Sequence, residues 1–482
     1  MHRFTRLTRP IVMCVLACLA GCSTSIKVEN PAAQLSDPEQ SPRVFAAVIT
    51  ALEAQPTLSD DEIKALRGMM YRAGYTVPSR ERALELLAQR EPELLKETLT
   101  FRLAQLGALE WRRRLCEIIA ERNWVDLTPG LIRAWAVPIS GWTERDAQRP
   151  ERLALAQLHG EDRVHEVVFA TMLENNSVAQ QGLRNACWTL LVQSGERGRL
   201  VELLAASNVS SEDAMLNDLR ASATELAIVP ANHEEILWVR KLRQPEHSQF
   251  WERARTVVSS LPQHVRASLA LRDVPILVAI AEHEPALLQE TRDALYARVE
   301  TMLEKAERHG YAQDRSYSGY VGTNNQSLRQ HRDELTWGDL AAMLMALRAM
   351  QVPEVVEHFF DFAERDRADT STEYGGVMQL DAQNRFELLE FPPRVRMHDN
   401  RFQASQEMFD AGYLAAFHFH FHAQKHKNSQ HAGPGLGDSD YADATRANCL
   451  VLTFIDSRTL NVDWYRHGRI VVDLGDIRRS DR

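Results

Sequence analysis

The chain has 482 residues, 44% of them hydrophobic and 25% charged, with 22 glycines and 19 prolines, which excludes a disordered, collagen-like or low-complexity protein. Its formal net charge of −10 argues against a chain whose main work is gripping nucleic acid, because phosphate binding needs a basic surface. No uninterrupted apolar run of about 20 residues occurs, so no ordinary membrane span is expected.

At the N-terminus, Arg3, Arg6 and Arg9 precede a short apolar run over residues 11–20, the form of a secretory signal. The run ends in Leu19-Ala20-Gly21-Cys22, which resembles the lipobox of bacterial lipoproteins. That resemblance implies a signal peptide over 1–21, acylation (palmitate among the chains) of the Cys22 thiol, and a periplasm-facing protein anchored to a membrane of the bacterial envelope. Ser23 stands where an aspartate would signal inner-membrane retention, so the resemblance leans to the outer membrane. Acyl chains bury CH₂ groups at ~0.8 kcal/mol each, so several chains hold a soluble body on a bilayer. Residues 22–43 mix Ser, Pro, Asn, Asp and Gln with little apolar content and read as a flexible tether. Beyond the signal and Cys22, the cysteines are Cys116, Cys187 and Cys449, too few for a disulfide framework, though one bridge stays open.

From 44 to 367 the pattern is helical, with leucines three and four apart in 80–90 and 93–105, and Trp111, Leu115, Ile118 and Ile119 striping 109–122. Segments 164–173, 178–192 and 198–206 read as three shorter helices. Segment 275–309 reads as two, with Glu284-Pro285 as a start signal, and a helix pair follows at 336–350 and 353–367. Successive short amphipathic helices resemble HEAT-like α-solenoids; an irregular helical bundle is the alternative. Either architecture offers a surface for a protein partner.

After Asp369 the period changes to two. Strands are expected at 374–380, 385–391, 413–423, 449–455 and 469–474, with 461–475 reading as a strand, a His-Gly turn and that closing strand, and helical stretches at 402–410 and 440–446, giving an α+β domain over 369–482. Its most unusual segment is Phe417-His418-Phe419-His420-Phe421-His422. On a strand this alternation sends three phenylalanines into the core and lines three imidazoles along the other face. Imidazoles converging with a carboxylate suit a metal ion such as zinc. The following loop adds His426 and His431 and ends at Asp438-Ser439-Asp440, placing five of the 17 histidines between 418 and 431. Trp464 and Tyr465 are expected in the core or on a groove rim, and Asp463 and His467 are read either as supports for a site or as turn residues.

Glu373 upstream, the His-x-His strand, and Asp438 downstream stand in an order that resembles the JAMM/MPN metalloproteases. The resemblance implies Glu373 as general base, with His420, His422 and Asp438 as zinc ligands; the triple histidine leaves His418 with His420 as an alternative pair. Zinc would bring the pKa of its water to ~7, within reach of a carboxylate base. Gly435 stands where the family has an oxyanion-stabilising serine, leaving Ser439 as the nearby hydroxyl. The loop from His422 to Asp438 is longer than the family spacing, and no proline follows the second histidine. A zinc-dependent amide or isopeptide hydrolase on a helical scaffold is therefore expected, with a non-catalytic envelope scaffold and a zinc-binding lipoprotein without turnover as alternatives.

Overall fold

The structure is a computed structural model that describes residues 26–139, 145–175, 177–195, 197–206, 213–306, 326–391 and 403–480. The signal segment, Cys22 and a Gly- and Tyr-containing stretch at 317–322 lie outside the described residues. The protein is mostly helical, followed by a C-terminal six-stranded mixed sheet. By internal packing it divides into two units, Met1–Val164 and His165–Arg482.

The first unit is built of helices that pack on the next helix and the next but one. Their starts are written in the sequence: Ser59 and Glu62 form a capping box at Asp60–Tyr71, and Thr76 caps Val77–Arg90 ahead of a proline in the first turn. Residues 31–36, read from composition as tether, form a helix instead. Asn30 caps it, Pro31 opens it, and Leu35 is wholly buried, with its carbonyl accepting from the Tyr75 hydroxyl. One leucine in a polar stretch was enough to dock it.

The second unit holds the remaining helices and the sheet. Helix Trp337–Ala349 is buried almost all round, as a central helix must be. Its core runs without a break from that helix and Pro353–Ala368 into the sheet residues Phe417, Phe419, Phe421, Phe454 and Trp464. The change of period near residue 368 thus falls inside one core.

The sheet runs β2-β1-β3-β4-β5-β6, from β1 (Gly375–Leu380), β2 (Phe386–Phe391), β3 (Phe417–His422), β4 (Cys449–Asp456), β5 (Thr459–Arg466) and β6 (Ile470–Arg478). Only β3 and β4 pair in parallel, and helix Leu436–Thr445 makes the crossover between them. Helix Pro353–Ala368 covers one face of the sheet at β2 and β3, and Leu436–Thr445 packs on β5.

Local differences from the sequence reading have identifiable causes. Pro285 starts only a 3₁₀ segment, Pro285–Gln289; the helix begins at Arg292, because Thr291 accepts from Ala294 N and caps it. The helix expected at 440–446 starts at Leu436, since the Asp438 carboxylate accepts from Gly435 N and closes the first turn. None of Cys116, Cys187 and Cys449 is in a disulfide, and all three are buried.

Candidate metal centre

Strand β3 alternates as its sequence demands. Phe417, Phe419 and Phe421 are at most 1% exposed. Phe359 on the helix Pro353–Ala368 meets Phe419 and Phe421 edge-on, at ring-centroid distances of 5.3 and 6.4 Å. The three histidines take the other face, and they diverge in what they touch.

His418 is committed to structure. Its Nδ1 lies 2.7 Å from the Tyr441 hydroxyl, and its ring also bonds the backbone of Gly412. A Cβ at Gly412 would fall 2.4 Å from His418 Nε2, so the ring seats there only against glycine. Burial pushes the His418 imidazole down to about 4, which keeps it neutral.

His420 and His422 turn instead toward Asp438 in the first turn of Leu436–Thr445. His420 Nε2 is 3.2 Å from Asp438 Oδ1, and His422 Nε2 is 3.5 Å from Asp438 Oδ2. One donor atom from each of the three residues lies within 4.8 Å of both others. A tetrahedral ion with bonds of ~2.1 Å spaces its donors by about 3.4 Å, so the two observed separations suit a small cation. This cluster can hold a metal ion.

The surrounding groups orient the ligands. His422 Nδ1 donates to the His431 carbonyl at 2.7 Å, which leaves Nε2 as the basic nitrogen facing Asp438. His420 Nδ1 lies 3.4 Å from the Tyr465 hydroxyl on β5. Gly435 N holds Asp438 Oδ2 at 2.7 Å. Burial works against ionisation of Asp438, but the His420 and His422 imidazoles outweigh it and hold the carboxyl well below the usual carboxylate range. Burial likewise opposes charge on His422, yet Asp438 and then Glu373 raise it to about 9.

Glu373 reaches the centre through strand pairing. Gly375 is opposite His420 in the antiparallel β1–β3 ladder, and Phe421 N donating to the Tyr374 carbonyl continues it. Glu373 therefore comes opposite His422, and paired residues share a face of the sheet. The carboxylate is 5% exposed, and Gln424 Nε2 donates to its Oε1 at 3.4 Å. Gln424 is in turn held by Asn428, which also donates to the His422 carbonyl. Asp463 lies in the row His420–Val451–Asp463 across β3, β4 and β5, fully buried on the histidine face.

The other sequence candidates fall elsewhere. The Ser439 hydroxyl donates to the Gly435 carbonyl at 3.0 Å, as a helix serine bonding its own preceding turn. His426 pairs with Glu364 at 2.8 Å, and His467 sits in the β5–β6 turn. Of the groups that support the histidines, Tyr465 comes beside them through the register of β3, β4 and β5, whereas Tyr441 on the helix Leu436–Thr445 and the His431 carbonyl on the 3₁₀ segment Ser429–His431 are placed by the crossover between β3 and β4, and none of the three supporting roles carries a motif. Compared with known proteins, the chain matches no family model, no curated protein and no solved structure.

Proposed function

We propose that the C-terminal sheet region is a zinc-dependent, JAMM/MPN-like amide or isopeptide hydrolase carried on a helical, HEAT-like scaffold. The observation that carries this reading is the convergence of His420, His422 and Asp438 with Glu373 opposite His422 on the same face. Two imidazoles and a carboxylate fit zinc, with a position left for water or substrate. When bound, zinc acidifies water and polarises a carbonyl. Glu373 then takes the proton from the attacking water and returns it to the leaving amine. Gln424 fixes the Glu373 carboxylate through Oε1. The His431 carbonyl and the Tyr465 hydroxyl keep the two imidazoles in their ligand orientation. The N-terminal motif supports anchoring through acylated Cys22, on the periplasmic side of the envelope and at the outer membrane; labelled palmitate should enter the protein and fail to enter Cys22→Ser.

A second reading, zinc binding without turnover, is favoured by one feature: Gly435 offers no hydroxyl, and that of Ser439 is turned to a backbone carbonyl. Loss of one oxyanion donor costs ~10²–10³ in kcat in other hydrolases. Assay of isopeptide-linked peptides with zinc-loaded wild type and Glu373→Gln separates the readings. The hydrolase reading expects turnover in the wild type, and none in a variant that still holds zinc. Zinc without turnover in either protein supports the second reading, and a wild type that takes up no metal leaves an envelope scaffold for protein partners.

A further inference from the structure

We propose that a second site, a cavity of about 330 Å³ beside the β5–β6 turn, binds a small oxyanion, a carboxylate or phosphate group, at a cluster of four arginines. It lies within the second unit, none of its lining residues is a proposed zinc ligand, and it does not depend on the hydrolase reading. Arg197, Arg272, Arg446 and Arg466 line it together with His467, and Glu235 is the one acidic lining residue among the described residues.

The cations outnumber their partners. Arg466 grips Asp339 with Nε at 2.9 Å and Nη2 at 3.0 Å, and Arg272 shares the same carboxylate at 3.1 Å. Asp273 stands 3.9 Å from Arg272, and Arg446 pairs with Glu235 at 3.2 Å. Arg197 has no carboxylate partner among the described residues: its guanidinium donates to the carbonyls of Ala267, Leu269 and Ala227. Among the described residues four guanidiniums thus face three carboxylates, and an incoming anion restores the balance.

Two nitrogens of the lining are also buried without a hydrogen-bond partner, Arg272 Nε and His467 Nδ1. Arg272 is 4% exposed, so bulk water compensates its charge little. Guanidinium groups match the oxygens of carboxylate and phosphate.

Arg446 adds a third indication. It follows the helix Leu436–Thr445 with φ +59°, the left-handed position where helices usually end in glycine. A side chain kept against that preference reaches both Glu235 and the cavity. Burial and then the charges of Arg272, Arg446 and Arg466 hold His467 neutral, consistent with a positive field in the cavity. A volume at the small end of ligand pockets restricts the occupant to a small molecule or a single anionic group.

The test is calorimetric titration of the purified protein with inorganic phosphate and with succinate at low ionic strength, for wild type and Arg446→Gly, with zinc content followed in parallel. Glycine suits the backbone at this position, so the variant removes the guanidinium without adding strain. One saturable equivalent of either probe is expected in the wild type, weakened at least about tenfold in Arg446→Gly, with zinc content unchanged. Which probe binds distinguishes a tetrahedral from a planar oxyanion. In the wild type, probe binding should also shift the His467 imidazole resonances, a readout that does not depend on the variant folding. No saturable binding of either probe, unchanged affinity in a folded Arg446→Gly, or unmoved His467 resonances at saturation would each overturn the proposal.

Discussion

His418 and His422 share one strand face, yet their partners give them different work. His418 is tied to Tyr441 and Gly412, while His422 points Nε2 at Asp438. His422→Ala should therefore lose stoichiometric metal, whereas His418→Gln should keep it while unfolding at lower denaturant; metal analysis after dialysis, paired with urea titration, checks both. The sequence left this register open, because spacing alone makes 418/420 and 420/422 equivalent. What separates them is Tyr441 and Asp438, placed three residues apart on one helix that the polar loop composition disguised.

His467 supplies a test of electrostatics. Burial pushes it down to about 2, with Arg272, Arg446 and Arg466 adding to the effect and Asp339 opposing it. An unfolded histidine titrates near 6.5, so between these values the unfolded chain binds the extra proton. Stability contributed here is present above about pH 6.5 and is lost as pH falls. Asp273 has the opposite sign: burial raises it to about 6, so the folded state holds the extra proton and stability falls as pH rises from about 4 to 6. Comparing wild type with His467→Gln by urea unfolding over this range isolates the first contribution. The variant should lose less stability on acidification, and equal losses in both would refute the assignment.

At the scale of elements, β3 shows what a period-two pattern can and cannot say. Alternating Phe and His identified a strand with one aromatic face in the core, and Phe359 meets that face edge-on. Phe419→Ala should cost about 3–5 kcal/mol, the range for emptying a packed aromatic site, measurable by denaturant unfolding of the second unit. A loss near zero would mean that the phenylalanine face is not packed. Glu373 was legible as a motif residue but not as a neighbour. Its position opposite His422 comes from the β1–β3 register, a long-range property that no local pattern encodes. The start of the helix at Leu436 was missed for a similar reason: Gly435 carries no capping side chain, and the first turn is closed from within by Asp438.

For the whole molecule, the change from helical to strand period near residue 368 was visible in the sequence, whereas the core that spans it was not. Helix Trp337–Ala349, buried on almost every side, is the local sign of burial between layers, but no local pattern encodes that it packs on Asp273–His283 and Arg292–Lys305 or that Arg466 grips its Asp339. Ligand binding to this unit should stabilise it, by ~4 kcal/mol when free metal exceeds Kd about a thousandfold. The most direct measurement is zinc K-edge X-ray absorption on the purified protein loaded with one equivalent of zinc. Two imidazoles with oxygen donors at ~2.0–2.2 Å are predicted, and His422→Ala should abolish that signature. A shell containing sulfur at ~2.3 Å, or oxygen donors with no imidazole, would contradict the site built from His420, His422 and Asp438.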